Sequence, residues 1–176
     1  MPAHRVRRSL LAALAAVLVV AAGACGRATQ ESAGAHAPPT ASTPAKLAFA
    51  ASTLDSKPFE GGMLAGKPAV LWFWEPACGA CAAQAPEVAM TADLYEGQVN
   101  VLGVAGGGGD VLHRAFVDST GTRHVRHLSD PGKEVWDRFD ISTPGECVLL
   151  DRDGEVAARG AELEGRLAKE VALLVR

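Results

Sequence analysis

The hydrophobic residues of this 176-residue chain fall into short unbroken runs that are separated by Gly, Pro and charged residues. Two of these runs, 69–74 (AVLWFW) and 99–105 (VNVLGVA), are apolar with hardly any alternation. Such runs are typical of strands covered on both faces, as in the parallel centre of a sheet. The stretch between them predicts a helix over about 79–95, so the pattern indicates a right-handed β-α-β unit at the centre of the fold.

The rest of the chain continues this alternation of strands and helices. The pattern predicts, in chain order, an N-terminal β-hairpin at 47–66, a helix at 110–118, a strand at 125–128 near a sheet edge, a helix with Asp130 as N-cap and Pro131 at its first position, antiparallel strands at 147–150 and 155–158, and an amphipathic helix from 161 to the end. The predicted fold class is α/β, with a mixed central sheet and helices on both faces.

The first 46 residues have a different pattern. A basic head containing Arg5, Arg7 and Arg8 precedes an apolar run at 10–22, and small residues follow up to Cys25. Residues 1–24 are predicted to be an export signal peptide, because the apolar run is shorter than the roughly 20 residues that span a bilayer. Residues 25–46 are rich in Ala, Ser, Thr, Gly and Pro and are predicted to form a flexible tether.

Cys25 fits two processing routes. The sequence Ala-Gly-Ala-Cys resembles a bacterial lipobox, which would make Cys25 a lipid anchor at the membrane surface, and it also fits an ordinary signal-peptidase site. The lipid anchor is favoured, because a cysteine directly after a cleavage site would otherwise be a coincidence. The protein is therefore expected outside the cytoplasm, either as a lipoprotein on the outer face of the cell membrane or as a secreted protein.

Charge and motifs argue against several classes of function. The chain carries 17 basic and 20 acidic residues, and loss of the three leader arginines would take its net charge from −3 to about −6, which disfavours nucleic acid as a partner. The four glycines at 106–109 lack the following Lys-Ser/Thr of a phosphate-binding loop. His113, His124 and His127 are scattered over different elements. His124 and His127 are separated by two residues, but on a strand that spacing would put them on opposite faces, so a metal site is disfavoured. We predict no cofactor and no metal site.

Two cysteines carry the candidate chemistry. Cys78-Gly79-Ala80-Cys81 opens the predicted helix directly after the apolar strand, and Pro86 is expected to kink that helix. The unpaired amides and dipole of a helix N-terminus favour a thiolate, which makes Cys78 the candidate nucleophile. Cys81 lies one helical turn away and could close a disulfide with Cys78, so the pair could store two electrons.

Cys147 is the fourth cysteine, and its role depends on Cys25. If Cys25 is not lipidated, a Cys25 to Cys147 bridge is possible, although a flexible tether is a poor place for a structural disulfide. An unpaired Cys147 that fills space in a buried strand is the favoured interpretation, with a redox role near the active site as the alternative.

These residues together resemble the thioredoxin-fold TlpA/ResA/DsbE group of exported thiol-disulfide oxidoreductases. The resemblance covers residues 47–176 and is carried by GKPAVLWFWEPACGACAAQAPEV, by Thr143-Pro144 before a strand, and by VLLDRDGEV as the closing hairpin. It implies a thioredoxin-like fold with an N-terminal β-hairpin extension, and protein thiols or disulfides as substrates.

The resemblance also assigns roles to individual residues. Cys78 is similar to the family's attacking cysteine and Cys81 to its buried resolving partner. Pro144 matches the family's cis-proline beside the disulfide, and the backbone of Thr143 would pair with the substrate chain. The residues expected to support the active site are Thr143, Pro144, Gly79, Ala80, Trp74 and Glu75.

Several positions depart from the family pattern. Ala77 precedes the first cysteine where the family very often has Trp, and the dipeptide Gly79-Ala80 contains no proline. Trp72 stands where thioredoxins have a buried acid that helps deprotonate the resolving thiol, so proton transfer would have to use water or another group. Glu75 is the nearest candidate, although an exposed carboxylate on the turn is the favoured interpretation of this residue. Substrate contacts and redox potential are therefore expected to differ from those of thioredoxin.

The predicted function is an exported thiol-disulfide oxidoreductase that promotes disulfide formation. A reductase of the same family, keeping haem-attachment or metal-site cysteines of partner proteins reduced, is the alternative, and it needs a membrane partner that supplies electrons. A membrane redox partner is therefore expected. A Cu or Zn lipoprotein that uses Cys78, Cys81, Cys147 and a histidine is an alternative of another class. A peroxiredoxin-type peroxidase is disfavoured, because it needs Thr or Ser where Glu75 stands.

Overall fold

The computed structural model describes residues 43–176. The predicted signal peptide, the possible lipid anchor at Cys25 and most of the predicted tether lie outside the described residues. The last tether residues contact the folded chain, since Ala45–Leu47 forms a 3-10 turn and the Lys46 ammonium bonds to the Arg138 carbonyl at 2.9 Å. None of the helices in residues 43–176 is long and apolar enough to cross a membrane.

Seven strands and four α-helices make up this part of the chain. In chain order they are β1 (Ala50–Thr53), β2 (Pro58–Glu60), β3 (Ala69–Trp74), α1 (Gly79–Leu94), β4 (Asn100–Gly106), α2 (Asp110–Thr120), β5 (Arg126–Asp130), α3 (Glu134–Arg138), β6 (Cys147–Leu150), β7 (Val156–Gly160) and α4 (Leu167–Leu174). The strands form one sheet in the order β2-β1-β5-β4-β3-β6-β7. The fold is thioredoxin-like, as predicted.

The centre of the sheet is parallel and its outer strands are antiparallel. Strand β3 pairs in parallel with β4 and β4 with β5, whereas β6 runs antiparallel to β3 and β7 antiparallel to β6. Every residue of β3 is buried, because the strand is covered on both faces. This confirms the interpretation of its unbroken apolar run.

Strand β5 is not near an edge, so that expectation was wrong. The N-terminal hairpin adds β1 to its outer side, with Ser52 opposite Ser129 and Thr53 opposite Leu128. The polar composition that suggested an edge has another cause, since His127 and Asp130 are buried and their side chains are hydrogen-bonded inside the fold.

Two helices begin later than the sequence predicts. Pro131 is not the first residue of α3, which starts at Glu134 after a turn in which Lys133 has φ +61. Asp130 nevertheless caps this helix, because its carboxylate accepts from the amides of residues 134, 135 and 136 at 2.9–3.0 Å. Helix α4 starts at Leu167, because Gly165 has a left-handed φ of +75 that interrupts the helical backbone.

Candidate active site

The two cysteines of the predicted redox pair are joined by a disulfide at the start of α1. Their sulfur atoms are 2.08 Å apart and their Cα atoms 5.2 Å apart. The Cys81 side chain is 0% exposed, whereas Cys78 is only partly buried. A substrate sulfur can therefore approach Cys78 and not Cys81, which is the asymmetry expected of an attacking and a resolving cysteine.

Cys78 is also the N-cap of α1. Its backbone is extended, and its Sγ accepts the Cys81 amide N–H at 3.0 Å. The Cys78 amide donates to the Glu75 carbonyl at 3.1 Å, which fixes the turn that joins β3 to the helix. A sulfur that accepts an amide at the positive end of a helix dipole is stabilised as an anion.

The residues around the Cys78 sulfur are small and exposed. Ala77, Gly79 and Ala80 are all solvent-exposed, and a Cβ added at Gly79 would meet no heavy atom within 4 Å. The position where the family often has Trp thus carries a methyl group. The approach to the disulfide is correspondingly open.

The loop that contains Pro144 is held against strand β3. The Gly145 amide donates to the Phe73 carbonyl at 2.7 Å, and the Phe73 amide donates to the Glu146 carbonyl at 2.9 Å. These two bonds bring the loop to the end of the strand that leads into Cys78. Thr143 is exposed beside it. The cis state of Pro144 and the substrate pairing of Thr143 stay predictions.

Gln84 links this loop to the cysteine-bearing helix. It is 5% exposed, its Oε1 accepts the Trp72 indole N–H at 3.0 Å, and its Nε2 donates to the Gly145 carbonyl at 2.9 Å. Sequence reasoning missed this residue. The available signal was its position three residues after Cys81, which places it on the same buried face of the helix.

Trp74, predicted to support the site, is fully buried against α2 and β5. Its ring stacks on Phe116 with a centroid distance of 4.3 Å, and its indole N–H donates to His127 Nδ1 at 3.2 Å. His127 Nε2 in turn lies 3.0 Å from the Thr122 carbonyl. Burial lowers the pKa of His127 from 6.5 to about 4, although the Thr122 bond opposes this shift. The histidine is therefore neutral and structural at physiological pH.

The histidines do not form a metal site in the described part of the chain. No three His, Cys, Asp or Glu residues of 43–176 are grouped so that they could hold a metal ion. His124 was expected on the same strand as His127, but it precedes β5 and lies 3.3 Å from the Asp93 carboxylate at the surface. His113 is fully buried, with its Nε2 against the Gly107 carbonyl.

Glu75, the residue nearest to a proton-transfer role by sequence, is in an ion pair. Its carboxylate lies 2.5 Å from the Lys133 ammonium and its side chain is 27% exposed. Lys133 also lies over the Trp136 ring, with its ammonium 4.5 Å from the centroid. The pair ties the turn before Cys78 to the residues that precede α3.

Cys147 fits the interpretation as a small buried residue. It is free, 5% exposed, and opposite Trp72 in the β3–β6 register. Burial raises the pKa of its thiol to about 12, with a smaller contribution from the negative charge of Glu87. A thiol in this environment is a poor nucleophile.

The chain has a thioredoxin-like sheet and a disulfide at the N-terminus of the helix that follows its central strand β3. These two features define a thiol-disulfide oxidoreductase of the thioredoxin fold. The family model described as AhpC/TSA matches residues 42–159, and the chain belongs to that family. Over 142 residues it is 32% identical to the soluble secreted antigen MPT53 of Mycobacterium tuberculosis, an alignment that covers 76% of this chain and 81% of the relative.

Two solved mycobacterial structures are similar to this fold. The structure of MTB DsbF is 35% identical with a TM-score of 0.71 and covers 75% of this chain and 98% of that one. A secreted M. tuberculosis disulfide oxidoreductase described as homologous to E. coli DsbE is 31% identical with a TM-score of 0.68, and covers 73% and 98%. These relatives confirm the predicted resemblance to the TlpA/ResA/DsbE group.

Proposed function

We propose that this thiol-disulfide oxidoreductase works outside the cytoplasm in the oxidising direction and transfers its Cys78–Cys81 disulfide to exported proteins. The observation that carries the proposal is the bond from the Cys81 amide to the Cys78 sulfur at the N-terminus of α1. Stabilising the Cys78 thiolate stabilises the reduced enzyme, and a more stable reduced form makes the disulfide a stronger oxidant.

The surroundings of the disulfide support the same direction. At the place where thioredoxins carry a buried acid, this chain has Trp72, whose indole N–H bonds to Gln84. Glu75 is neutralised by Lys133. No unpaired carboxylate of these residues therefore opposes a negative charge on Cys78. Because Glu75 also stands where a peroxidase of this fold would need Thr or Ser, a peroxidase is not proposed.

The transfer proceeds in two exchange steps. A substrate thiolate attacks Cys78 Sγ, forms a mixed disulfide and breaks the Cys78–Cys81 bond, so that Cys81 leaves as a thiolate and takes up a proton. A second substrate thiolate then attacks the substrate sulfur of the mixed disulfide and releases Cys78. Two electrons pass from the substrate to the enzyme, and a membrane redox partner would remove them in the next cycle.

Export and attachment complete the proposal. The antigen MPT53 is described as secreted, and the M. tuberculosis oxidoreductase likewise. The basic and apolar leader of this chain supports the same location. Lipidation at Cys25 would hold the enzyme at the membrane surface, close to its redox partner. Mass spectrometry of the exported protein, which detects acyl chains on an N-terminal cysteine, tests this point.

Redox titration of Cys78–Cys81 in glutathione buffers tests the direction. We expect a potential of about −180 to −120 mV, in the range of protein disulfide isomerase and DsbA, together with little reduction of insulin. A potential near the value of about −270 mV for thioredoxin, with rapid insulin reduction, would instead establish the reductase alternative.

Variants of the two cysteines test their roles. We expect Cys78→Ser to abolish exchange. Cys81→Ser has no internal disulfide to transfer, but its Cys78 thiolate should attack substrate disulfides and accumulate mixed disulfides, because no Cys81 thiol is present to displace the substrate. Non-reducing gels and mass spectrometry detect the trapped species. Mixed disulfides that form at Cys81 in the Cys78→Ser variant would reverse the assignment.

A further inference from the structure

The outward face of α1 is apolar along its whole length. The exposed residues Gly79, Ala83, Pro86, Met90 and Leu94 recur every three or four positions, which places them on one side of the helix. Met90 is 54% exposed and Leu94 is 58% exposed. A surface helix ordinarily turns polar side chains to water. Here the water-facing side carries hydrocarbon, and the buried side includes Gln84 and Thr91.

The charges of α1 do not interrupt this face. Glu87 and Asp93 are its only two charged residues. The Glu87 carboxylate accepts from the amides of Gly165 and Leu167 at 2.6 and 2.9 Å, and therefore bends towards α4. The Asp93 carboxylate lies 3.3 Å from the His124 ring on the other side. The apolar face, defined as Gly79, Ala83, Pro86, Met90 and Leu94, lies between these two pairs.

The apolar face is continuous with the redox site. It begins at Gly79, the residue after Cys78, and extends about 22 Å along the helix at 1.5 Å per residue. Any protein whose sulfur reaches Cys78 is thereby placed at one end of the face. A chain that remains extended from that sulfur can cover it with about six or seven residues.

We propose that this apolar face binds the segment of a non-native exported polypeptide that adjoins its reacting cysteine. The proposal rests on the proposed function, because clients of a disulfide-forming enzyme reach it before they fold. Unfolded chains expose the apolar side chains that native proteins bury, and contact with Met90 and Leu94 would remove both surfaces from water. Met is a side chain that adapts to different partners, which suits a site for many clients.

Rates of disulfide exchange with a large and a small thiol substrate test the proposal. The double variant Met90→Gln/Leu94→Gln replaces the two large side chains of the apolar face, which lie at its end far from Cys78, and Gln keeps helix propensity near that of Met and Leu. We expect its rate with reduced, unfolded ribonuclease A to fall about tenfold relative to wild type. Its rate with dithiothreitol should stay within about twofold, because that thiol contacts only the disulfide.

A matched control shows whether the position of the apolar residues matters. Met63→Gln/Leu173→Gln replaces the same two residue types on other elements, where Met63 is 61% and Leu173 is 53% exposed. We expect this variant to behave as wild type with both substrates. An equal loss in both double variants, or an unchanged ratio of the two rates in the α1 variant, overturns the proposal.

Failure of the proposed direction gives a different result. If wild type and both variants oxidise dithiothreitol but leave reduced ribonuclease A unoxidised, the oxidising function fails, and the same rate ratio is then measured from reduced enzyme with scrambled ribonuclease A and oxidised glutathione. Two other binding partners of the apolar face, a second copy of the chain and a membrane, would give distinct results. A wild-type dimer that Met90→Gln/Leu94→Gln converts to monomer in sedimentation, or phosphatidylglycerol vesicles that bind wild type and not the variant, would assign the face to self-association or to the membrane and overturn the proposal.

Discussion

The two faces of strand β3 show how one buried run can serve both stability and the redox site. Trp72 and Trp74 point to the face covered by α1 and α2, where each indole N–H bonds to a side chain of another element. Leu71 and Phe73 point to the opposite face, where they pack among hydrocarbon and aromatic rings. The Trp72/Trp74 face, called the redox face below, is thus held by side-chain hydrogen bonds of the strand itself, whereas Leu71 and Phe73 contribute through apolar contact.

Because of this difference, substitutions on the two faces of β3 should have different effects on the disulfide. Hydrogen bonds fix distance and direction, so a change at Gln84 reaches the Gly145 loop beside the disulfide. Apolar packing is non-directional and contributes mainly to the free energy of unfolding. Substitutions of Leu71 or Phe73 should therefore alter stability without altering redox chemistry. Substitutions on the Trp72/Trp74 face that break a hydrogen bond leading to the disulfide should alter both.

Phe73→Ala gives the largest expected change in stability. Phe73 is fully buried and packs against Trp136 and Phe139, with centroid distances of 5.7 and 5.9 Å. We expect a loss of about 4 kcal/mol in the free energy of unfolding, measured by urea denaturation. The redox potential should stay unchanged, because only backbone atoms of Phe73 bond to the Pro144 loop. A shifted potential would remove the distinction between the two faces.

His127 should make the redox face sensitive to acid. Its pKa of about 4 in the native state lies below 6.5, so the unfolded chain binds more protons between these values and stability falls as the pH drops from 6.5 to 4. The full shift corresponds to about 3 kcal/mol, and above pH 6.5 it has no effect. Urea denaturation at pH 7 and pH 4.5 measures the loss, which His127→Gln should lack.

Asp130 gives stability a pH dependence of the opposite sign, and the comparison with His127→Gln removes it. Burial raises the pKa of Asp130, which lets the native state bind protons more readily than the unfolded chain and so raises stability on acidification. Asp130 is present in wild type and in His127→Gln, so its contribution cancels in their difference. An equal loss on acidification in both proteins would show that His127 is not the group responsible.

Gln84→Met should affect both stability and redox chemistry. The substitution keeps the side-chain length and leaves the Trp72 N–H and the Gly145 carbonyl without these partners, at a cost of about 2 kcal/mol. We expect the freed loop to slow exchange with a reduced protein substrate about threefold, since a loop held less firmly positions the substrate less well. Stopped-flow exchange measurements and urea denaturation test the two effects.

Thr91→Val is the matched control on the same buried face of α1. It removes the bond from the Thr91 hydroxyl to the Glu87 carbonyl, which lies farther along the helix from the disulfide. We expect lower stability with an unchanged exchange rate. If Thr91→Val and Gln84→Met slowed exchange equally, the effect would come from the helix as a whole and not from the link to Gly145.

The features of the fold that depend on a few neighbouring residues could be predicted from the sequence. The unbroken run of β3, the helix start at Cys78 and the turn before β7 each follow from a few neighbouring residues, and together they indicated the fold and the redox pair. The bond from Trp74 to His127 joins residues 53 positions apart, and no local pattern encodes it. For the same reason the polar composition of β5 suggested an edge, because the partners of its buried side chains come from other elements.

Cys147→Ala should have the smallest effect, although Cys147 lies on the redox face. It is opposite Trp72 in the sheet, yet its thiol is buried and its pKa is raised to about 12, so it should not compete with Cys78 for substrate. We expect a stability loss of about 1 kcal/mol from the lost sulfur volume and an unchanged exchange rate. Native thiol titration at pH 8 should count no reactive Cys147 until denaturant is added. A rate loss comparable to that of Cys78→Ser would show that chemistry on this face extends beyond the helix mouth.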